Sequence, residues 1–299
     1  MKTTVTEKAK AKINLTLDVL AVREDGYHDI KSVMQTVELC DQVTLTKTEE
    51  DGIKVTANVD TVPLDESNTV VAAVRAFEEK TGAAVGGLSI HLEKNIPVAA
   101  GIGGGSSDAA AVLRGLDKLY GTNLPVTELA KIGINVGSDV PFCVYGGTCV
   151  VEGRGEEVGR LTGLSSGWIV LCKPDFSLSS HEMYQRFGSE EMEPQTDVVT
   201  VMLALEWEDV EAVAKRVQNV FETVLTDEER AAVSGIKETM LNCGAAGAAM
   251  SGSGPMVYGI FTDEAQAKKA VEALQATYSQ VFLTEPAYTG IKKKNTVQI

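Results

Sequence analysis

The stretch IPVAAGIGGGSSDAAAVL, residues 96–113, holds four glycines and two serines between a proline and an alanine run. Glycines lack β-carbons, so successive backbone N–H groups can converge on an anion, and the start of a following helix adds about half a positive charge. That chemistry suits a phosphate cradle. Two common phosphate motifs are excluded. No lysine follows as in G-x-x-x-x-G-K-[ST], and Gly101-x-Gly103-x-x-Ser106 lacks the third glycine of the dinucleotide fingerprint. By itself the cluster reads equally well as a flexible turn into a helix. A second small-residue loop, GAAGAAMSGSGP at 244–255, precedes a strand in the other half of the chain. Two such loops are able to clamp one ligand, although a tight strand entry is the plainer reading of the second.

A phosphate cradle does chemistry only beside groups that move a proton or offset charge, such as a carboxylate or an ammonium. Asp139 in GSDVPF and Lys12 in AKINL are side chains of those types. Taken alone each is ordinary: an aspartate before Val-Pro reads as a turn or cap residue, and a lysine on a first strand as a solvated edge residue. Zinc is excluded, because His181-Glu182 is followed by Gln185 where H-E-x-x-H needs its second histidine. The five cysteines are scattered, form no C-x-x-C pair and read as reduced core residues. A net charge of −15 disfavours nucleic acid and anionic membranes as partners. The longest apolar runs are strand-sized and MKTTVTEKAKAK carries no apolar segment, so a cytoplasmic protein without a span or signal peptide is expected.

The elements that must position these residues follow from periodicity. KAKINLTLDVL alternates as a half-buried strand, with Ile13, Leu15, Leu17 and Val19 on one face and Lys12 and Asn14 on the other. After the turn signal REDGYHD come three strands, SVMQTVEL, QVTLTKT and IKVTANV. Ser67-Asn68 caps a helix through TVVAAVRAFEEKTG that stops at Gly82, and GLSIHLEK is a further strand. The glycine stretch then leads into a serine-capped helix, SSDAAAVLRGLDKLYG, followed by a helix over PVTELAKIGINVG and by turns and strands through SDVPFCVYGGTCVVEGRGEEV. A boundary falls at residues 161–167. Beyond it lie the strand WIVLC, several helices between about 179 and 242, the loop and strand GAAMSGSGPMVYGIF, the helix DEAQAKKAVEALQATY and the strand QVFLTEPA. This order implies α+β layers in two domains, 1–163 and 164–299.

Three stretches together carry a resemblance. IPVAAGIGGGSSDAAA resembles the central phosphate loop of the GHMP kinase superfamily, AKINLTLDVLAVREDGYHDIKSVMQ its first motif and AAMSGSGP its third. The words AKINL, R-x-DGYH, GIGGGSSDAAA, GSDVPF and GRGE are similar to those of one branch, whose acceptor is a cytidine-diphosphate-linked methylerythritol of non-mevalonate isoprenoid synthesis. The resemblance implies a ribosomal-protein-S5-domain-2-like N-terminal domain and a ferredoxin-like C-terminal domain. It also implies ATP with Mg²⁺, transfer to the 2-hydroxyl of the methylerythritol unit, and a monomer or weak homodimer. By the same resemblance Asp139 and Lys12 are catalytic. Pro97, Val98, Ala99, Ala100, Gly101, Ile102, Gly103, Gly104, Gly105, Ser106 and Ser107 form the ATP phosphate loop, with Asn68 and Lys94 as further ATP contacts. Asn14 contacts the methylerythritol hydroxyls, Tyr27 and His28 hold the cytosine, and Tyr184 stacks on it. Ser106 or Ser107 is the candidate hydroxyl for Mg²⁺, with no dedicated metal cluster. Two rivals remain: a GHMP kinase for another alcohol such as homoserine or mevalonate, which would leave DGYH without a base to hold, and a non-catalytic nucleotide-binding relative, which would have no use for Asp139 with Lys12.

Overall fold

The computed structural model describes residues 3–188 and 193–287; the outer ends of the two expected domains, 1–2 and 288–299, lie outside the described residues. Strands β1 (Thr4–Val22), β2 (His28–Thr48) and β3 (Ile53–Ala57) open the chain, followed by α1 (Thr69–Thr81), β4 (Gly87–Glu93), α2 (Gly104–Tyr120), α3 (Val126–Gly133) and α4 (Val140–Tyr145). Then come β5 (Thr148–Gly153), β6 (Glu157–Arg160), β7 (Trp168–Lys173), α5 (Ser180–Gln185), α6 (Val198–Glu206), α7 (Val210–Ala214) and β8 (Gln218–Asn219). The chain continues through α8 (Asp227–Asn242), β9 (Gly247–Met250), β10 (Val257–Phe261), α9 (Glu264–Gln275) and β11 (Gln280–Thr284). One sheet runs β3-β4-β2-β1-β8, with β5 and β6 branching from β2, and a second runs β11-β7-β10-β9. The two stretches expected as separate strands after the DGYH turn are one continuous β2, paired with β1 from Thr4↔Thr46 to Val22↔His28.

The expected half-buried first strand is instead buried on both faces, with every residue from Ala11 to Val19 buried. A bulge explains the arrangement. Asn14 pairs with Met34 but Thr16 with Val33, so Leu15 is an extra residue, and an extra residue re-aims those beyond it. Ile13 and Leu15 therefore pack in the core shared with β7, β10 and α6. Leu17 and Val19, expected on that same face, pack in the core beneath α1 and α2. Burial on both faces puts polar side chains of β1 inside the molecule, where each needs a partner. Asp18, 1% exposed, accepts from the backbone N–H groups of Gln195 (2.9 Å) and Thr196 (3.2 Å) and from the Thr196 hydroxyl (2.5 Å).

Two local readings are confirmed and two corrected. Asn68 caps α1 by accepting from the Val70 N–H at 3.0 Å, and Gly82 closes that helix in the left-handed region. The helix after the glycine stretch is not serine-capped: its N-cap is Gly103 at φ +72° and both serines lie in its first turn. Residues 140–145, expected among turns and strands, form the short α4, where Pro141 sits in the first turn and needs no N–H donor. Among the described residues no helix is long and apolar enough to cross a membrane.

Candidate active site

Lys12 and Asp139 meet although 127 positions separate them in sequence: Lys12 Nζ lies 3.4 Å from Asp139 Oδ2 and donates to Asn14 Oδ1 at 2.8 Å. Asn14 is oriented in turn, its amide donating to Ser32 Oγ (2.9 Å), which donates to the Thr16 carbonyl (2.6 Å). The Lys12 backbone N–H donates to the Ile102 carbonyl at 3.0 Å, tying β1 to the glycine stretch. Gly103 leaves room for the lysine stem, since a β-carbon there would fall 3.0 Å from Lys12 Cγ. Asp139 is fixed from the other side. Gly155, at φ +128°, packs so tightly that a β-carbon would lie 2.1 Å from the Ser138 carbonyl oxygen, immediately before the aspartate.

The glycine stretch runs between Lys12 and the second small-residue loop. Met256 N–H donates to the Ala100 carbonyl and Ser251 Oγ to that of Gly101, both at 3.1 Å. A β-carbon on Gly101 would sit 2.4 Å from the Ser251 carbonyl oxygen. Part of the loop's glycine content therefore serves this backbone-to-backbone approach. Ala99 holds a left-handed φ of +52°, a conformation costing an L-residue about 1–2 kcal/mol. Of the expected phosphate-loop residues 97–107, all but Ile102 and Ser107 line one cleft of about 940 Å³. Ile102 is in the core, and the Ser107 hydroxyl donates to the Lys10 carbonyl at 2.6 Å. These two side chains hold the loop down rather than face a ligand. Ser106 does line the cleft, with Oγ 3.9 Å from where a Gly137 β-carbon would be.

Thr61, Val62, Pro63, Asn68, Leu92 and Lys94 line one end of the cleft. The polar groups of both expected ATP contacts at this end are already engaged. Asn68 caps α1 and donates to the Pro63 carbonyl at 2.6 Å. Lys94 Nζ donates to Asp41 and, at 2.5 Å, to Asp108. Asp41 also accepts the Asn95 and Ile96 N–H groups at 2.5 and 2.8 Å, so this buried triad fastens the entry of the loop to the first turns of α2. Burial and the second carboxylate push Asp108 up to about 7 against the pull of Lys94, and its Oδ1 has no partner.

The other end is aromatic. The rings of His28 and Tyr184 stand 5.0 Å apart at 31°, and Phe221 meets Tyr184 edge-on at 4.9 Å. Burial lowers the His28 pKa, favouring the neutral imidazole, and its Nε2 is buried without a partner. Tyr27 is half-exposed beside the Arg154 guanidinium, which lies 4.8 Å over its ring. Lys12, Asn14, Tyr27, His28, Asp139 and Tyr184, distant in sequence, thus line the same cleft. Arg154, Phe221 and the Thr61–Pro63 segment escaped the sequence reading. Only Arg154 carried a signal there, through GRGE.

Comparison with known proteins places the chain in a family. The family described as GHMP kinases N terminal domain matches residues 68–147, and GHMP kinases C terminal matches 202–280. A 4-diphosphocytidyl-2-C-methyl-D-erythritol kinase of Caldicellulosiruptor saccharolyticus is 42% identical over 93% of this chain and 95% of its own. The chain belongs to the GHMP kinases, in their 4-diphosphocytidyl-2-C-methyl-D-erythritol kinase branch. A Clostridium tetani kinase of the same name is 40% identical over 93% of this chain and 98% of its own. Among solved structures, a 4-(cytidine 5'-diphospho)-2C-methyl-D-erythritol kinase superposes with a TM-score of 0.78 at 29% identity, over 95% of this chain and all of that one. A homoserine kinase from Cytophaga hutchinsonii shares the two-domain GHMP kinase fold, with a TM-score of 0.74 at 19% identity over 96% of each chain.

Proposed function

We propose that the protein transfers the γ-phosphoryl group of ATP to the 2-hydroxyl of 4-diphosphocytidyl-2-C-methyl-D-erythritol. The observation that carries this reading is the Lys12–Asp139 pair, set in one cleft between the glycine loop and the aromatic end that holds His28. In phosphoryl transfer the protein acts mainly by positioning and electrostatics. Asp139 Oδ2 accepts the proton of the attacking hydroxyl. Lys12, held against Asn14 and Asp139, donates to the oxygens on which charge builds. The N–H groups from Gly101 to Ser106 cradle the phosphates at the start of α2, where the helix dipole is positive. At the far end the unpartnered His28 Nε2 meets the hydrogen-bonding edge of cytosine, and the Tyr27 and Tyr184 rings offer their faces.

Mg²⁺ accompanies the nucleotide in this reading. The cleft offers hard oxygen donors of the type it takes, the Ser106 hydroxyl and the unpartnered Asp108 Oδ1, while phosphates supply the rest of its shell. When bound, the ion neutralises phosphate charge. The reading carries a cytoplasmic setting with it, where ATP is made and where the chain's five unpaired cysteines stay reduced.

The test is ADP release by the purified protein with Mg-ATP, comparing the cytidyl alcohol with homoserine and mevalonate. Release driven by the cytidyl alcohol alone is expected. Release driven by homoserine or mevalonate, or by none of the three, overturns the substrate assignment.

A further inference from the structure

Three cationic side chains line the cleft: Lys12, Lys94 and Arg154. Lys12 is engaged by Asp139, and Lys94 by Asp41 and Asp108. Among the described residues no carboxylate lies within 4.0 Å of the Arg154 guanidinium, in a chain with net charge −15. Its neighbour Arg23 shows the contrast, pairing with Asp29 at 2.7 Å and approaching Glu156 at 3.6 Å. The guanidinium is nonetheless held in place. Its Nη2 donates to the Ile134 carbonyl at 3.3 Å, one face covers the Tyr27 ring, and its backbone N–H donates to Glu156 at 2.6 Å. Asp25 feels the Arg154 charge but makes no ion pair with it within 4.0 Å, and a pre-positioned cation so placed at a ligand cleft is complementary to an anion.

We propose that Arg154 is a specificity-determining residue that recognises the phosphates of the cytidine nucleotide moiety of the acceptor while steadying the Tyr27 ring. This assignment rests on the substrate reading above. Arg154 lies over the Tyr27 ring, which holds the cytosine in that reading, and this contact assigns its charge to the acceptor. Its turn also carries Gly155, packed against Ser138 beside Asp139. One tight turn thus touches both the Tyr27 ring and the backbone immediately before Asp139.

Calorimetric titration of the full-length protein with cytidine, CMP and CDP, and separately with an unhydrolysable ATP analogue, tests the assignment. Arg154→Gln keeps a donor toward the Ile134 carbonyl and removes the charge; Arg154→Lys keeps the charge and loses the planar stack. The expected result is at least about tenfold weaker CDP binding in Arg154→Gln, a smaller loss for cytidine, unchanged affinity for the ATP analogue, and partial recovery of CDP binding in Arg154→Lys. An equal loss for cytidine and CDP reduces Arg154 to a support for Tyr27 and overturns phosphate recognition. Unchanged CDP binding overturns the proposal outright. Wild-type protein that binds the ATP analogue but no cytidine ligand overturns the substrate reading, and this assignment with it.

Discussion

Lys12→Met removes a charge while keeping the length of the side chain that crosses the floor of the cleft. Lys12 Nζ stands 3.4 Å from Asp139 Oδ2. At that separation, with an effective dielectric of about 20, the attraction is about 5 kcal/mol. Asp139 is 31% exposed, so water screens part of this. That attraction belongs to the resting enzyme and weakens as Asp139 takes the proton, so the effect on rate comes from the donor Lys12 offers to the charging oxygens, about 2.7–4 kcal/mol for one preorganised donor in other enzymes. The expected outcome is a kcat lower by about 10²–10³, with the KM for ATP nearly unchanged because the loop's backbone donors are untouched. Stability should fall only modestly. The variant strands the Asn14 Oδ1 acceptor, at about 1–3 kcal/mol, but leaves Asp139 partly hydrated. Steady-state kinetics by coupled ADP detection, together with a thermal melt, read all three quantities. A kcat within tenfold of wild type, or a KM for ATP rising in step with the loss of kcat, would refute the role of Lys12 in the transition state.

Asp108 is raised from an ordinary 3.8 to about 7, so the folded protein binds a proton there that the unfolded chain releases. Its contribution to stability is therefore complete below about pH 4 and is lost as pH climbs toward 7. Melting curves should show Asp108→Asn losing less stability than wild type between pH 5 and 7.5; parallel pH slopes would contradict the buried triad. Gly155→Ala introduces a β-carbon at φ +128° that would stand 2.1 Å from the Ser138 carbonyl oxygen. It should cost more than about 1 kcal/mol and reduce kcat by displacing Asp139, and a variant with wild-type melting temperature and turnover would contradict the close packing of that turn.

The helices and most strands were legible because their signals are local. Asn68 and Gly82 bracket α1 with their own side chain and backbone, and alternation marks β1. What alternation could not show was burial on both faces. That depends on a second sheet and α6 arriving from residues after 167, and on a bulge at Leu15 that no propensity announces. The Lys12–Asp139 pair was legible only through word resemblance. Aspartate and lysine are common, and the Ser138 and Ile102 carbonyl contacts that fix them come from remote turns. Lys94 and Asn68 show what word resemblance leaves out. Both line the cleft, yet their polar atoms are engaged by Asp41, Asp108 and Pro63, partners that sequence order does not reveal. Arg154 stood in the word GRGE, but its contact with the Tyr27 ring brings together positions 127 residues apart.

The hydrogen bonds from Met256 and Ser251 to the carbonyls of Ala100 and Gly101 stitch the glycine loop to a segment some 150 residues later. Asn219 holds that segment from behind, its amide donating to the Met250 and Gly252 carbonyls at 2.8 and 2.7 Å. The loop is thus shared property of both halves, and an excised first half would present Gly101 and its neighbours without their backing. The same stitching bears on turnover. A loop bonded on its far side to that segment is braced against hinging like a flap, so a ligand it holds would meet a fixed seat.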